Sequence, residues 1–350
     1  MSVTARYFGK TMQGEDVTIY HISNSAGMTA EVMDYGAVLV SLYVPDRNGK
    51  FEDVVLGYDT IDGYRVNRFF FGGTMGRNSN RVAGAHFELN GVGYDLEKNE
   101  KENNLHSCLK AGFHKRMVRA EKGSDNISVK FIYDSPHLDE GFPGNLTASV
   151  TYRITEDNVL ELVYEGVSDA DTIFNMTNHS YFNLAGRTDE SILDHRLYIK
   201  ASGFTPINSE GIPTGEIAPV AGTPFDFTEP HEIGERIEAD DPYIKMVGGY
   251  DHNYALDIDC SKCEEVAVLS HEKSGRRMTV YTDRPGLQFY AGNYIISHMG
   301  KERRLYHPHC GVCLETQFFP NAINEPRFMS PVLKAGVHAT SVTKYAFDVF

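Results

Sequence analysis

Hydrophobic and polar positions alternate along most of the chain, and turn residues recur about every ten positions, which predicts strands nearly throughout. Asn48-Gly49 within 45–58 and Asn90-Gly91 within 86–96 each predict a tight hairpin, because both pairs accept the positive φ angles of a two-residue turn. A third hairpin is predicted over 147–168. There Val150, Tyr152 and Ile154 precede a Glu156-Asp157-Asn158 turn, and Leu160, Leu162 and Tyr164 follow it. Helical periodicity is confined to short stretches, around Ile61 to Val66 and around His231 to Ile237, where Pro230 suits a first helical turn. Gly and Pro are spread along the chain, with no linker, repeat or low-complexity segment. A chain of 350 residues with so few helices must cover its sheet faces with other sheets. The expectation is therefore all-β: one domain over residues 1–350, built as a large antiparallel β-sandwich with a few short helices.

Charge narrows the partners. With 33 basic and 48 acidic residues the net charge is −15, which repels phosphate backbones and anionic membrane surfaces, so neither nucleic acid nor membrane is expected. The N-terminal run lacks a signal-peptide core, and no apolar run approaches the roughly eighteen residues of a membrane span, so the protein is expected in the cytoplasm. Five cysteines in a reducing compartment argue against a disulfide framework. Cys260 and Cys263, with Cys310 and Cys313, form two Cys-x-x-Cys pairs that a structural zinc site would use. The pairs are farther apart than in a compact zinc ribbon, and Cys313 lies in an apolar run where cysteine acts as a small hydrophobe. The expectation is no metal.

Six stretches break the core pattern. In Asn175–Gly186, a strand would put Thr177, His179, Tyr181 and Asn183 on one face and Asn178, Ser180, Phe182 and Leu184 on the other. A face of histidine, tyrosine and amides without Lys or Glu suits a hydroxyl-rich ligand, and a polar edge strand fits equally. Residues 72–84 are Gly-rich and carry Arg77, Asn78, Asn80 and Arg81, without the Gly-Lys-Ser/Thr ending of a phosphate loop. His106 follows a polar turn, and Asp251-His252 stands between glycines and an aromatic strand. Gln288 is the conspicuous polar member of 286–294. Glu315 shares a face with Cys313, Gln317 and Phe319 in a run apolar enough for a central strand, where a carboxylate is costly unless used or paired. A partly buried Glu and a strand-borne His are a potential base and acid near neutral pH. No Ser or Cys nucleophile signature accompanies them.

On the runs PDRNGKFEDVVLGYDTIDGY, GRNSNRVAGAHFELNG, NNLHSCLKAGFHKR, TNHSYFNL, GYDHNYAL, GLQFYAGN and CLETQFFPNAIN, the chain resembles the aldose 1-epimerase (galactose mutarotase) family from end to end. The resemblance implies a large β-sandwich with an open sugar cleft, a free aldohexose as substrate and no cofactor. It implies Glu315 as general base and His179 as general acid, with Asn80, Arg81, His106, Asp251 and Gln288 holding the sugar hydroxyls. Three positions depart from the family pattern: Ser107-Cys108 where two glycines are common, Val118 where tryptophan is usual, and Asn321 where Asp is frequent. Two other functions fit parts of the pattern. A hexose-phosphate epimerase would need a cationic pocket, for which Arg276-Arg277 and Arg303-Arg304 are candidates, and a silent carbohydrate-binding protein would not need the acid and base.

Overall fold

The alternation over 147–168 folds as a hairpin. Leu146–Ile154 pairs antiparallel with Val159–Ser168, setting Val150 opposite Tyr164, Tyr152 opposite Leu162 and Ile154 opposite Leu160, all six buried. In the computed structural model, which describes residues 2–186 and 190–350, this hairpin is part of a nine-stranded antiparallel sheet. The strand Ala339–Val349 lies between Val159–Ser168 and Arg276–Thr282, joining the middle of the chain to its last third. The first five strands, between Ser2 and Asp53, form a separate meander in sequence order. A second five-stranded sheet runs Ala218–Pro219, Gly203–Phe204, Asp251–Ala255, Gly286–Tyr290, Cys313–Gln317. It lies over the large sheet, where Tyr345 Oη donates to the Leu314 carbonyl at 3.2 Å and the Thr316 and Thr343 hydroxyls bond each other. The apolar cluster between the layers draws side chains from Val3 to Phe347, completing the predicted antiparallel β-sandwich. No helix among the described residues is long and apolar enough to cross a membrane.

Local predictions diverge where a neighbouring side chain captures the backbone. Asn90 and Gly91 are both left-handed (φ 54° and 77°) between the paired Leu89 and Val92, as a two-residue turn requires. At Asn48-Gly49 only the glycine is left-handed (φ 76°), and the loop runs from Asp46 to Lys50. The Asp46 carboxylate accepts the N–H groups of Asn48 at 2.8 Å and Lys50 at 2.9 Å, widening the turn. Ile61–Val66 is helical as expected. His231–Glu232 instead pairs with Arg196–Leu197 at the sheet edge, which leaves one 3-10 turn at Ile233–Glu235. The second α-helix, Pro242–Val247, was not anticipated, although its signals are local: Asp241 accepts from the N–H of Tyr243 and Ile244, Pro242 starts the first turn, and left-handed Gly248 ends it.

Candidate active site

Three neighbouring strands build one wall. Gln288 stands opposite Glu315 on one side and Asn253 on the other, while Tyr290 stands opposite Asp251. Strand alternation therefore sends Asp251, Gln288 and Glu315 to one face, and their neighbours Leu287, Phe289 and Leu314 into the apolar core. The facing wall comes from Thr177–His179, paired with Gly73–Met75, and from Arg81–Val82, paired with Asn104–Leu105, with Asn80 and His106 at the ends of that short pair. All seven residues singled out in the sequence line one cleft of about 150 Å³, small enough for a single sugar ring. Glu100, Tyr181, Tyr290 and Tyr294 line it as well. A larger cleft of about 310 Å³ lies against the N-terminal meander and contains none of the seven.

Two expectations need correction. Only Thr177–His179 of the 175–186 run is a strand, and Asn175 through Leu184 are buried on both sides, so parity does not divide a wet face from a dry one. Asn178 donates to the Gly72 carbonyl at 3.0 Å and to Tyr152 Oη at 3.1 Å, and Asn183 donates to the carbonyls of Glu190 and Cys310, so both amides serve the scaffold. The strand of Glu315 is the last of its sheet, not a central one. Its apolar character follows from cover on the free edge, where Phe182 bridges to Val312.

Burial dominates the electrostatics. Oε1 of Glu315 lies 3.7 Å from Nε2 of His179, and both residues are buried. Burial, then repulsion from Asp251, pushes the Glu315 carboxyl well above the usual carboxylate range, with Arg81 opposing. Burial brings His179 down to about 4 and takes His106 well below its ordinary value. Oε2 of Glu315 and Oε1 of Gln288 have no hydrogen-bond partner among the described residues, and buried acceptors of this kind are suited to ligand hydroxyls. Gln288 Nε2 donates to Asp251 Oδ1 at 2.7 Å. Arg81 is clamped by Glu100 through two bonds, of 2.6 and 2.9 Å, and lies 3.7 Å from Asp251. Although burial opposes it, Asp251 and Glu100 keep that guanidinium firmly charged.

The Gly-rich stretch divides within five residues. Arg77 is fully buried and donates to the carbonyls of Ser135, Pro136 and Pro143 and the hydroxyls of Ser135 and Thr172, so it braces the fold. Asn80 and Arg81 face the cleft. Asn80 is left-handed (φ 60°), its Oδ1 accepts the Arg81 N–H at 2.8 Å, and its own N–H donates to His106 Nδ1 at 3.1 Å. Asn321 supports Arg81 from behind, donating its N–H to the Arg81 carbonyl and accepting the Ala83 N–H, an acceptor role Asp would fill equally.

His106 and Ser107 are both left-handed (φ 53° and 67°), a conformation that glycine adopts without strain. At Ser107 the hydroxyl compensates, accepting the Asn78 N–H and donating to the Asn78 carbonyl, both at 3.0 Å. Ser107→Ala is expected to destabilise the fold by about 1–3 kcal/mol by orphaning a buried N–H. Ser107→Gly should lose about 1 kcal/mol less, because it relieves the left-handed strain. Urea unfolding curves of the two variants rank them.

Potential metal ligands gather in two places among the described residues, and neither contains a cysteine: His106, His179 and Glu315 in the cleft, and Asp194, His195 and His271 outside it. The zinc arrangement allowed by the Cys-x-x-Cys spacings is thus not assembled. Cys310 and Cys313 belong to an apolar cluster, and Cys260 and Cys263 are half-buried. In the cleft, His106 Nδ1 accepts from a backbone N–H, which leaves the proton on Nε2, the atom a metal would need. In the outer group the imidazole rings stack at 4.6 Å and 22°, so their lone pairs do not converge, and Lys273 holds Asp194 at 2.8 Å.

Comparison with known proteins places this geometry in context. The family model for aldose 1-epimerase matches residues 18–346. The galactose mutarotase of Rattus norvegicus is 37% identical over 350 residues, covering 100% of this chain and 99% of that one. The aldose 1-epimerase of Escherichia coli (strain K12) is 34% identical over 336 residues, covering 95% and 96%. The crystal structure of galactose 1-epimerase from Lactobacillus acidophilus NCFM superposes with a TM-score of 0.87 at 27% identity, covering 100% of this chain and 99% of that one.

Proposed function

The chain belongs to the aldose 1-epimerase family, and from that premise we propose that it interconverts the α and β anomers of free hexoses such as glucose and galactose. The observation that carries the assignment of roles is the 3.7 Å gap between Glu315 Oε1 and His179 Nε2, with the second Glu315 oxygen unpartnered. The gap exceeds a direct hydrogen bond and faces a sugar-sized cleft, so the hydroxyl and ring oxygen of a hemiacetal carbon seated in the cleft can meet base and acid side by side. Glu315 takes the proton of the anomeric hydroxyl as His179 Nε2 gives one to the ring oxygen. The bond from the anomeric carbon to the ring oxygen breaks, and a free aldehyde forms. Rotation about the adjoining carbon–carbon bond offers the other carbonyl face, and the reverse transfers close the ring. The Glu–His pair carries one proton throughout: on His179 when the sugar is cyclic, on Glu315 when it is open. No electron transfer occurs, so the chemistry calls for no cofactor.

Asn80, Arg81, His106, Asp251 and Gln288 orient the hydroxyls, with His106 presenting its Nε2 proton to the ring oxygen. A phosphorylated hexose suits the cleft less well. Glu100, Asp251 and Glu315 stand against Arg68 and Arg81, and Arg81 is already engaged. Of the basic pairs considered for a phosphate, Arg276 is buried against the Leu184 carbonyl and Glu52, and neither pair lines the cleft. An acidic chain of net charge −15 with five cysteines, an odd number, favours a cytosolic setting without nucleic-acid partners.

Polarimetry of fresh α-glucose and α-galactose tests the proposal, with α-glucose 6-phosphate as comparator. Accelerated decay of the free sugars is expected. Sugar binding without acceleration would mark a binding protein instead, and preference for the phosphate would mark the related epimerase.

The pH dependence follows from the shared proton. Below about 4, His179 gains a proton while Glu315 is already protonated, so the base is lost and kcat/KM should fall with an acid midpoint near that value. A midpoint near an ordinary histidine value, about 6.5, would contradict the buried pair.

A further inference from the structure

His179 has a second ring nitrogen, and the mechanism above leaves its contact unexplained. Nδ1 lies 3.5 Å from Sγ of Cys313, two residues before Glu315 on the same strand face, and both groups are buried. We propose that Cys313 is the positioning residue of the acid: its sulfur accepts a hydrogen bond from Nδ1–H and keeps the proton on that nitrogen while Nε2 alternates between donor and acceptor. This rests on the reading of His179 as the acid.

Proton balance requires Nδ1 to keep its proton. When the ring opens, Nε2 gives up its proton, and when it closes Nε2 must take one back. A neutral ring carrying its proton on Nε2 instead of Nδ1 has no lone pair there and cannot complete the cycle. The ring also bonds its own backbone carbonyl, and no other neighbouring side chain supplies this contact. Glu315 faces Nε2, His106 Nδ1 is occupied by the Asn80 amide, and Phe70 and Tyr181 stack on the ring faces at 5.6 and 5.1 Å. Tyr290 meets it edge-on at 6.5 Å, and His114 lies beyond Phe70, kept neutral by burial at about 3.

Sulfur also suits the task in strength. It is a weak acceptor, so it orients Nδ1–H without stabilising the imidazolium as a carboxylate would, and His179 remains a strong acid. Burial, then Glu315 and Asp251, push the Cys313 thiol well above its ordinary value, so it persists as a neutral thiol, with a hydrogen bond from Tyr181 opposing.

The test is long-range proton–nitrogen NMR of the full-length chain labelled with ¹⁵N-histidine, on wild type, Cys313→Ser and Cys313→Ala. At neutral pH the wild-type His179 should carry its proton on Nδ1 with Nε2 bare, Cys313→Ser should keep that tautomer, and Cys313→Ala should shift it toward Nε2–H. In parallel, kcat should fall about tenfold in Cys313→Ala with KM little changed, and recover in Cys313→Ser. A neutral wild-type His179 protonated on Nε2 alone overturns the proposal even if the alanine variant does not fold, and so does an alanine variant with unchanged tautomer and kcat. If the wild type does not accelerate mutarotation, the functional reading falls, while the tautomer still decides whether the sulfur holds Nδ1–H.

Discussion

Glu315→Gln is expected to slow anomer interconversion by about 10²–10⁴-fold while leaving the fold at least as stable. The amide keeps the shape of the carboxylate but cannot take the anomeric proton. The stability half of the prediction follows from the sign of the pKa shift. A carboxyl whose folded pKa is raised by burial destabilises the native state above its unfolded pKa, and that cost disappears as pH falls below it. At neutral pH a neutral side chain removes the cost, including the repulsion from Asp251. Polarimetry together with a thermal melt at pH 7 checks both halves. Full turnover in a folded variant would remove Glu315 as the base, whereas a much lower melting temperature would mean that the ionised carboxylate has a stabilising partner.

What the chain made legible, and what it hid, divides by the range of the interaction. Strand parity is local, so it separates Asp251, which faces the cleft, from His252, which packs against Phe225 at 4.6 Å in the core. The costly placement of Glu315 was visible too, since nothing within a few residues could pair with it. Arg77 and Arg81 sit in one Gly-rich motif with opposite fates, because the carbonyls that capture Arg77 come from 135–143, far along the chain. Glu100 lies in the run Lys98-Asn99-Glu100-Lys101-Glu102, which has the composition of a solvated loop, and only the pairing of Asn104–Leu105 with Arg81–Val82 brings it to Arg81. Tyr181 lines the cleft beside His179, but it lies past the end of the strand, where parity has no hold. The Cys313 contact was not readable, because it joins two segments 134 residues apart.

His179→Asn is the complementary prediction, again a loss of about 10²–10⁴-fold in kcat, with KM changing much less because the hydroxyl-binding groups remain. Asparagine can donate a hydrogen bond to the ring oxygen but cannot release the proton, so the leaving alkoxide is not neutralised. The smaller side chain also gives up ring contacts with Phe70 and Tyr181, at a cost of about 1–3 kcal/mol in stability, which a urea unfolding curve separates from the kinetic loss. The combined Glu315→Gln/His179→Asn variant discriminates most. If one proton passes around the pair, removing either member disables both transfers, and the double variant should be scarcely slower than the slower single one. Multiplicative losses would instead mean that Glu315 and His179 act independently. The acid limb near 4 should vanish in the His179→Asn variant, since the group that gains the extra proton is gone.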